Sequence, residues 1–196
     1  MIHLIVGGAR SGKSRLAEQC ATASGLPVTY IATASAGDQE MAARIEHHQA
    51  RRPANWGLIE EPLDLAGAIS AVNGPHCLLV DCLTLWLTNW LMVKDESGFN
   101  QAKQALLSQL AQLAERNQTQ QEQQSIILVS NETGMGVIPL GEITRRYVDE
   151  SGRLHQAISD IADHVTLTIA GLPLPLKQQG KPCFNASHLP PPFNQG

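Results

Sequence analysis

The sequence has no C-x-x-C pair; its four cysteines, Cys20, Cys77, Cys82 and Cys183, are scattered. Nothing in that spacing makes a metal ligand set, and Cys77 and Cys82, in and at the end of an apolar run, read as small buried thiols. Basic residues are not in excess. A formal net charge of -4 argues against nonspecific nucleic-acid binding, which needs a basic surface. Long apolar runs are also missing: the longest, Leu83 to Val93, is too short to span a bilayer. No leader-like segment opens the chain, because Met1 to Val6 runs straight into a glycine-rich motif and reads as a core strand. The expected address is cytoplasmic. With 196 residues, 43% of them hydrophobic, the chain fits one domain that folds without a metal or disulfide framework.

Short apolar runs alternate with helical patterns. The predicted strands are Ile2–Val6, Val28–Ala32, Cys77–Asp81, Ile126–Ser130 and Val165–Ala170. Each is a continuous run, as expected of strands covered on both faces. The predicted helices are Lys13–Ser24, Gln39–Arg51, Leu63–Val72, Leu83–Leu91, Asn100–Arg116 and Gly152–Ala162. This alternation predicts an α/β domain with a mostly parallel sheet over residues 1–171. Gln118 to Gln124 is polar and reads as an exposed helix end or loop. From Leu172 the prolines (Pro173, Pro175, Pro182 and Pro190 to Pro192) argue against regular pairing, so residues 172–196 are expected to form a loose tail.

Gly7-Gly8-Ala9-Arg10-Ser11-Gly12-Lys13-Ser14 fits G-x-x-x-x-G-K-[ST], with an apolar strand before it and an amphipathic helix after it. Glycines let the backbone turn tightly and aim successive N–H groups at phosphate oxygens. The helix beginning near Lys13 turns its positive end toward the same place. Lys13 would reach the β- and γ-phosphates, and Ser14 would join the shell of a Mg²⁺ ion. Asp81, an acid ending an apolar strand, is the expected carboxylate partner of that ion. Glu132, beyond the strand Ile126–Ser130, is a second candidate at the same sheet edge.

Asp38 to Pro53 reads as a helix, capped by Asp38 and limited by Pro53. Arg44, His47 and Arg51 lie three and four apart and share a face. Spacing alone leaves two readings open. The stripe is a solvated face, or it meets phosphates, with a neutral imidazole attacking phosphorus while arginines stabilise developing charge. Spacing does not decide between His47 and His48 either. A P-loop small-molecule kinase without nucleotidyl transfer is the alternative that leaves the histidine idle.

With these parts together, the chain resembles the bifunctional adenosylcobinamide kinase/adenosylcobinamide-phosphate guanylyltransferase family of cobalamin biosynthesis. The resemblance is carried by GGARSGKSRLAE (7–18), YIATA (30–34), EMAARIEHHQARRPANW (40–56), LLVDCLTLWLTN (78–89), VSNETGMGVIP (129–139) and GRLHQAISDIADHV (152–165). It implies a P-loop NTPase-like three-layer fold and two reactions. A nucleoside triphosphate, ATP or GTP, phosphorylates the aminopropanol hydroxyl of adenosylcobinamide. GTP then loses pyrophosphate to leave GMP on a histidine, and adenosylcobinamide phosphate takes the GMP. The guanylated histidine would be His47. The GTP contacts would fall on Gly7 to Ser14 (Gly7, Gly8, Ala9, Arg10, Ser11, Gly12, Lys13, Ser14), on Ala32, Thr33 and Ala34, on His48, Gln49, Ala50 and Arg51, and on Glu60 and Asp81, with Glu61 able to replace Glu60. A homotrimer is implied as well. The helix Leu83–Leu91, with Trp86 and Trp90 four apart, reads as core packing, with a subunit or corrinoid contact as the alternative.

Overall fold

Neighbouring residues of a strand point to opposite faces, and the apolar runs are divided accordingly. In β1 (Ile2–Gly7), Ile2, Leu4 and Val6 enter one core while Ile5 enters the other. In β4 (His76–Asp81), Leu78 and Val80 separate from Cys77 and Leu79; in β5 (Gln124–Asn131), Ile126 and Leu128 separate from Ile127 and Val129. A strand apolar on both sides needs cover on both sides, which is why these runs do not alternate with polar residues.

The computed structural model describes residues 1–34, 53–119, 123–137 and 139–184. Within them, α1 (Lys13–Ala23) covers one face of the sheet through Ala17 and Ala21. The other face is covered by α2 (Leu65–Ser70), α3 (Leu83–Val93), α4 (Glu96–Gln118) and α5 (Glu142–Ile161). The result is the three-layer α/β arrangement that the sequence predicts. The predicted helix over Gln39–Arg51 lies outside the described residues.

Adding β2 (Val28–Ala32), β3 (Gly57–Glu60), β6 (His164–Ile169), β7 (Leu172–Gln178) and β8 (Lys181–Pro182), the sheet order is β3-β2-β4-β5-β1-β6-β7-β8. Strands β3 through β6 in that order are parallel, and β7 and β8 are antiparallel additions. The phosphate-loop strand β1 is central and separated from β4 by β5. All carboxyl ends of the parallel strands therefore open on one edge, where ligands of such sheets gather.

The structure corrects the loose tail over residues 172–182, which form β7 and β8. Pro173 pairs with Thr168 and Pro175 with Thr166. Residues two apart aim their N–H positions to the same side, so both missing donors share one side of β7. On the side away from β6, the described strand β8 pairs with only Lys177 and Gln178. Residues 185–196, with Pro190 to Pro192, lie outside the described set. Two smaller differences have similar local causes. Strand β3 is short and largely exposed, so it shows little apolar signal, and α5 begins at Glu142 rather than Gly152, which sits inside the helix. Gln124 is buried, its Nε2 donating to Val72 O at 2.9 Å, and so is not part of an exposed loop. The cysteines are all free, with Cys77 and Cys82 buried.

Candidate active site

The phosphate loop leaves β1 at Gly7 and enters α1 at Lys13. Its backbone needs conformations that side chains resist: Arg10 has φ 57° and Gly12 φ 97°. A Cβ on Gly7 would stand 2.5 Å from Thr168 O and 2.6 Å from Ser11 Oγ, so only glycine fits between β6 and the loop. Ser11 N donates to Gly8 O at 3.2 Å, and Gly171 N donates to Ser11 O at 2.9 Å, tying the loop to the β6–β7 turn. Gly8, Ala9 and Arg10 are exposed.

Lys13 donates to Gly8 O at 3.2 Å, folding its ammonium back over the loop it follows. Burial pulls its pKa down, and Cys82 and Asp81 oppose that shift, which places Lys13 in the electrostatic reach of the end of β4. Asp81 itself is oriented by Tyr30, whose hydroxyl donates to Asp81 Oδ2 at 3.0 Å. Burial, with Asp81 adding to it, pushes the Cys82 thiol up to about 11, so this thiol stays neutral.

Among the described residues, three buried polar atoms around Gly7 lack a partner: Ser11 Oγ, Asn131 Oδ1 and Thr168 Oγ1. Asn131 and Thr168 are the register partners of Gly7 on its two flanking strands. Unmet capacity of this kind suits a polar ligand held over the loop. The donor set also suits Mg²⁺, which takes one or two carboxylates plus substrate phosphates rather than an all-protein cage. Among the described residues no cluster of three or more His, Cys, Asp or Glu forms such a cage.

The remaining expected contacts divide by chemistry. Ala32 and Ala34 sit half-buried at and beyond the carboxyl end of β2, on the phosphate-loop edge of the sheet. Thr33 is fully buried, and its hydroxyl donates to Cys82 O at 2.7 Å while accepting from Cys82 N at 2.9 Å. Its N–H donates to Asp81 O and its carbonyl accepts from Asn89 Nδ2 at 2.8 Å. Every polar group of Thr33 is thus engaged, its hydroxyl and N–H with the end of β4 and its carbonyl with α3. Glu60 ends β3 beside Ala32 and is exposed, whereas Glu61 spends Oε1 on the N–H groups of Leu63 and Asp64 at 2.9 and 2.8 Å. Of the two neighbours, Glu60 is the more exposed. His47, His48, Gln49, Ala50 and Arg51 lie outside the described residues.

Trp86 is fully buried and donates to Leu63 O at 2.7 Å; Trp90 donates to the same oxygen at 3.2 Å. Both indoles are core elements, as the apolar helix suggests. Sequence reasoning missed Tyr30 and Thr33 as organisers of Asp81. Hydroxyl-bearing residues within and just beyond a strand leading to the ligand edge were the available signal.

A phosphate loop on a central parallel strand, with a lysine beside the carboxylate that ends the next strand but one, defines a nucleotide-using P-loop α/β enzyme. Comparison with known proteins sharpens the class. The family model described as cobinamide kinase / cobinamide phosphate guanyltransferase matches residues 3–176. The bifunctional adenosylcobalamin biosynthesis protein CobP of Pseudomonas aeruginosa is 58% identical over 178 residues, covering 90% of this chain and 98% of that one. The corresponding CobU of Escherichia coli is 36% identical over 184 residues, covering 90% of this chain and all of its own length (100%). A solved Pyrococcus horikoshii structure shares the fold alone, with TM-score 0.52 and 11% identity over 94% of this chain and 93% of that one.

The chain belongs to the cobinamide kinase / cobinamide phosphate guanyltransferase family. It is a bifunctional enzyme of adenosylcobalamin biosynthesis that uses nucleoside triphosphates. No helix among the described residues is long and apolar enough to cross a membrane.

Proposed function

We propose that one phosphate loop serves two nucleophiles, a hydroxyl of the corrinoid acceptor in the kinase step and the imidazole of His47 in the guanylyl step. The observation that carries this reading is the single loop at the sheet edge, with Lys13 and Asp81 beside it. The two family reactions break different phosphate linkages, so a shared loop requires that the attacking atom change.

In the kinase step the aminopropanol oxygen of adenosylcobinamide attacks the γ-phosphorus of ATP or GTP. The bond to the β–γ bridging oxygen breaks, the diphosphate leaves, and the hydroxyl proton is lost. In the guanylyl step a neutral His47 nitrogen attacks the α-phosphorus of GTP. Pyrophosphate leaves, and the imidazole gives up its other proton. The phosphate oxygen of adenosylcobinamide phosphate then attacks the same phosphorus and breaks the P–N bond, giving adenosylcobinamide-GDP and restoring His47. A neutral imidazole is well populated near pH 7 because its unperturbed pKa is about 6.5.

The chain's groups divide the remaining work. Gly7 to Ser14 present backbone N–H groups, and Lys13 and Arg10 offset charge on the phosphates. Ala32 to Ala34, His48 to Arg51, Glu60 and Asp81 complete the GTP site. Ser14 and Asp81 would hold Mg²⁺, which when bound neutralises phosphate charge and aligns the phosphates. The enzyme works as a homotrimer in the cytoplasm, with no nucleic-acid partner.

The test is trapping. After incubation with GTP labelled at the α-phosphate, the protein carries acid-labile, alkali-stable label, and His47→Ala carries none. Absence of protein-bound label on the unaltered enzyme under turnover conditions overturns the covalent route.

A further inference from the structure

The end of β5 carries a second group of functional side chains that the nucleotide site does not absorb. Asn131 is in register with Gly7, and the next residue, Glu132, donates its backbone N–H to Gly7 O at 3.0 Å. Glu132 is thereby fixed beside the first glycine of the phosphate loop. Its carboxylate lies between the following loop and α5: Oε1 accepts from Gly134 N at 2.6 Å, and Oε2 lies 3.8 Å from His155 Nδ1. The His155 ring, 12% exposed on α5, bonds through Nε2 to Ser130 Oγ at 2.7 Å. Ser130 is buried, and Thr84 beyond it accepts from Asn131 N at 2.7 Å. The Glu132–His155–Ser130 chain is therefore anchored at its buried inner end and grows more exposed outward, to the carboxylate, which is 23% exposed.

Glu132 and His155 also line a cavity of about 370 Å³ on the sheet face opposite α1. Its floor is apolar (Leu4, Val6, Val165 and Leu176), and its wall is polar, with Gln156, Ser159 and Asp160 from α5. A chamber apolar below and rich in amide, hydroxyl and carboxylate above suits a short hydroxylated, amide-linked arm. Glu132 is the residue bonded to the phosphate loop through its backbone and facing this chamber through its side chain.

We propose that Glu132 is the general base of the kinase step, taking the proton of the acceptor hydroxyl, and that His155 is its positioning residue. The acceptor oxygen forms its bond to the γ-phosphorus, the bond to the bridging oxygen breaks with the diphosphate as leaving group, and the proton passes to the Glu132 carboxylate and then to water. Burial lowers the pKa of His155 and Glu132 opposes that shift, and the ring, pinned by Ser130 and 3.8 Å from Oε2, limits where the carboxylate can turn. This inference rests on the kinase half of the reading above. It assigns Glu132 to proton transfer rather than to the metal ion.

The test follows both half-reactions in Glu132→Gln, Glu132→Asp and His155→Gln. Phosphoryl transfer is measured from γ-labelled ATP to adenosylcobinamide, and enzyme labelling from α-labelled GTP. Glu132→Gln should lower kcat of phosphoryl transfer about 10²–10⁴-fold, the usual worth of a general base. Glu132→Asp should recover part of that loss. His155→Gln should lower kcat about 10-fold with KM for the acceptor held, the pattern of lost transition-state orientation. Enzyme labelling should stay within about threefold in all three variants, which also certifies that they fold. Equal loss of both half-reactions in Glu132→Gln makes the residue a metal or nucleotide ligand and overturns the proposal. Unchanged phosphoryl transfer in Glu132→Gln overturns it too. Failure of the unaltered enzyme to phosphorylate adenosylcobinamide would instead sink the kinase reading on which the inference rests.

Discussion

The hydroxyl of Tyr30 donates to Asp81 Oδ2 at 3.0 Å, linking two adjacent strands at the sheet edge that carries the phosphate loop. In the register of β2 on β4, Tyr30 stands opposite Leu79 and Ala32 opposite Asp81. The phenol therefore reaches two positions along the sheet to fix the carboxylate. In the proposed metal role, an acid so held would arrive preorganised, with its rotamer chosen before the phosphates come.

Tyr30→Phe should expose that dependence. Hydrogen bonds to charged groups are worth about 1.5–3 kcal/mol, so urea unfolding should report a loss of that order. Nucleotide KM should rise in both half-reactions, because the proposed mechanism gives Asp81 to both. A rise in one alone would mean that Asp81 is not shared.

The phosphate loop offers a paired glycine test. Gly7→Ala drives a methyl into Thr168 O and Ser11 Oγ, and overpacking of this kind costs about 1–3 kcal/mol. Gly8 has nothing within 4 Å of its would-be Cβ, so Gly8→Ala should keep stability within about 0.5 kcal/mol. Thermal melting with and without GTP checks both. Gly7→Ala should lose stability as well as the GTP-induced shift, whereas any lost shift in Gly8→Ala reports crowding of the phosphates.

Thr33 separates structure from contact. Thr33→Val leaves both Cys82 N and Cys82 O without their partner, a loss of about 1–3 kcal/mol in a buried place. If its role is to join strands, denaturant stability falls while KM for GTP in the stable fraction changes little. A large KM change at unaltered stability would make Thr33 a direct ligand.

At the far end of the sheet, burial and the neighbouring His164 lower the pKa of His3 to about 4 from 6.5. The rings lie 5.6 Å apart, and His3 Nε2 bonds Thr166 Oγ1 at 2.9 Å. A depressed histidine is neutral in the fold, so its contribution is complete above pH 6.5. It is lost as pH falls toward 4, because the unfolded chain takes up the proton first. By about pH 5 the loss is about 2 kcal/mol at 1.36 kcal/mol per pKa unit. His3→Gln should therefore gain on the unaltered protein by that much between about pH 7 and about pH 5 in melting experiments. A constant difference over that range would contradict the assignment.

Much of the fold was legible because its core strands are apolar on both faces. The runs at Ile2, Val28, Cys77, Ile126 and Val165 mark the five central strands within two residues of their observed limits. What sequence hid was peripheral. Strand β3 is exposed, and β7 carries prolines that proved compatible with a one-sided partner. At the site, the loop and Asp81 were readable from residue type and position alone. The Tyr30 and Thr33 supports were not, because each depends on register between strands distant in sequence. The Glu132–His155 relation was hidden for the same reason: 23 positions separate the two residues, and only the packing of α5 on β5 brings them together.

The central claim, one phosphate loop with two nucleophiles, is tested most directly by following both half-reactions in Lys13→Ala and His47→Ala. Phosphoryl transfer to adenosylcobinamide and protein labelling from α-labelled GTP should both fall by about 10² or more in Lys13→Ala, since transition-state charge stabilisation is lost from each. His47→Ala should lose the label entirely while keeping a substantial part of phosphoryl transfer. Equal loss of both reactions in His47→Ala, or label persisting on that variant, would contradict the account.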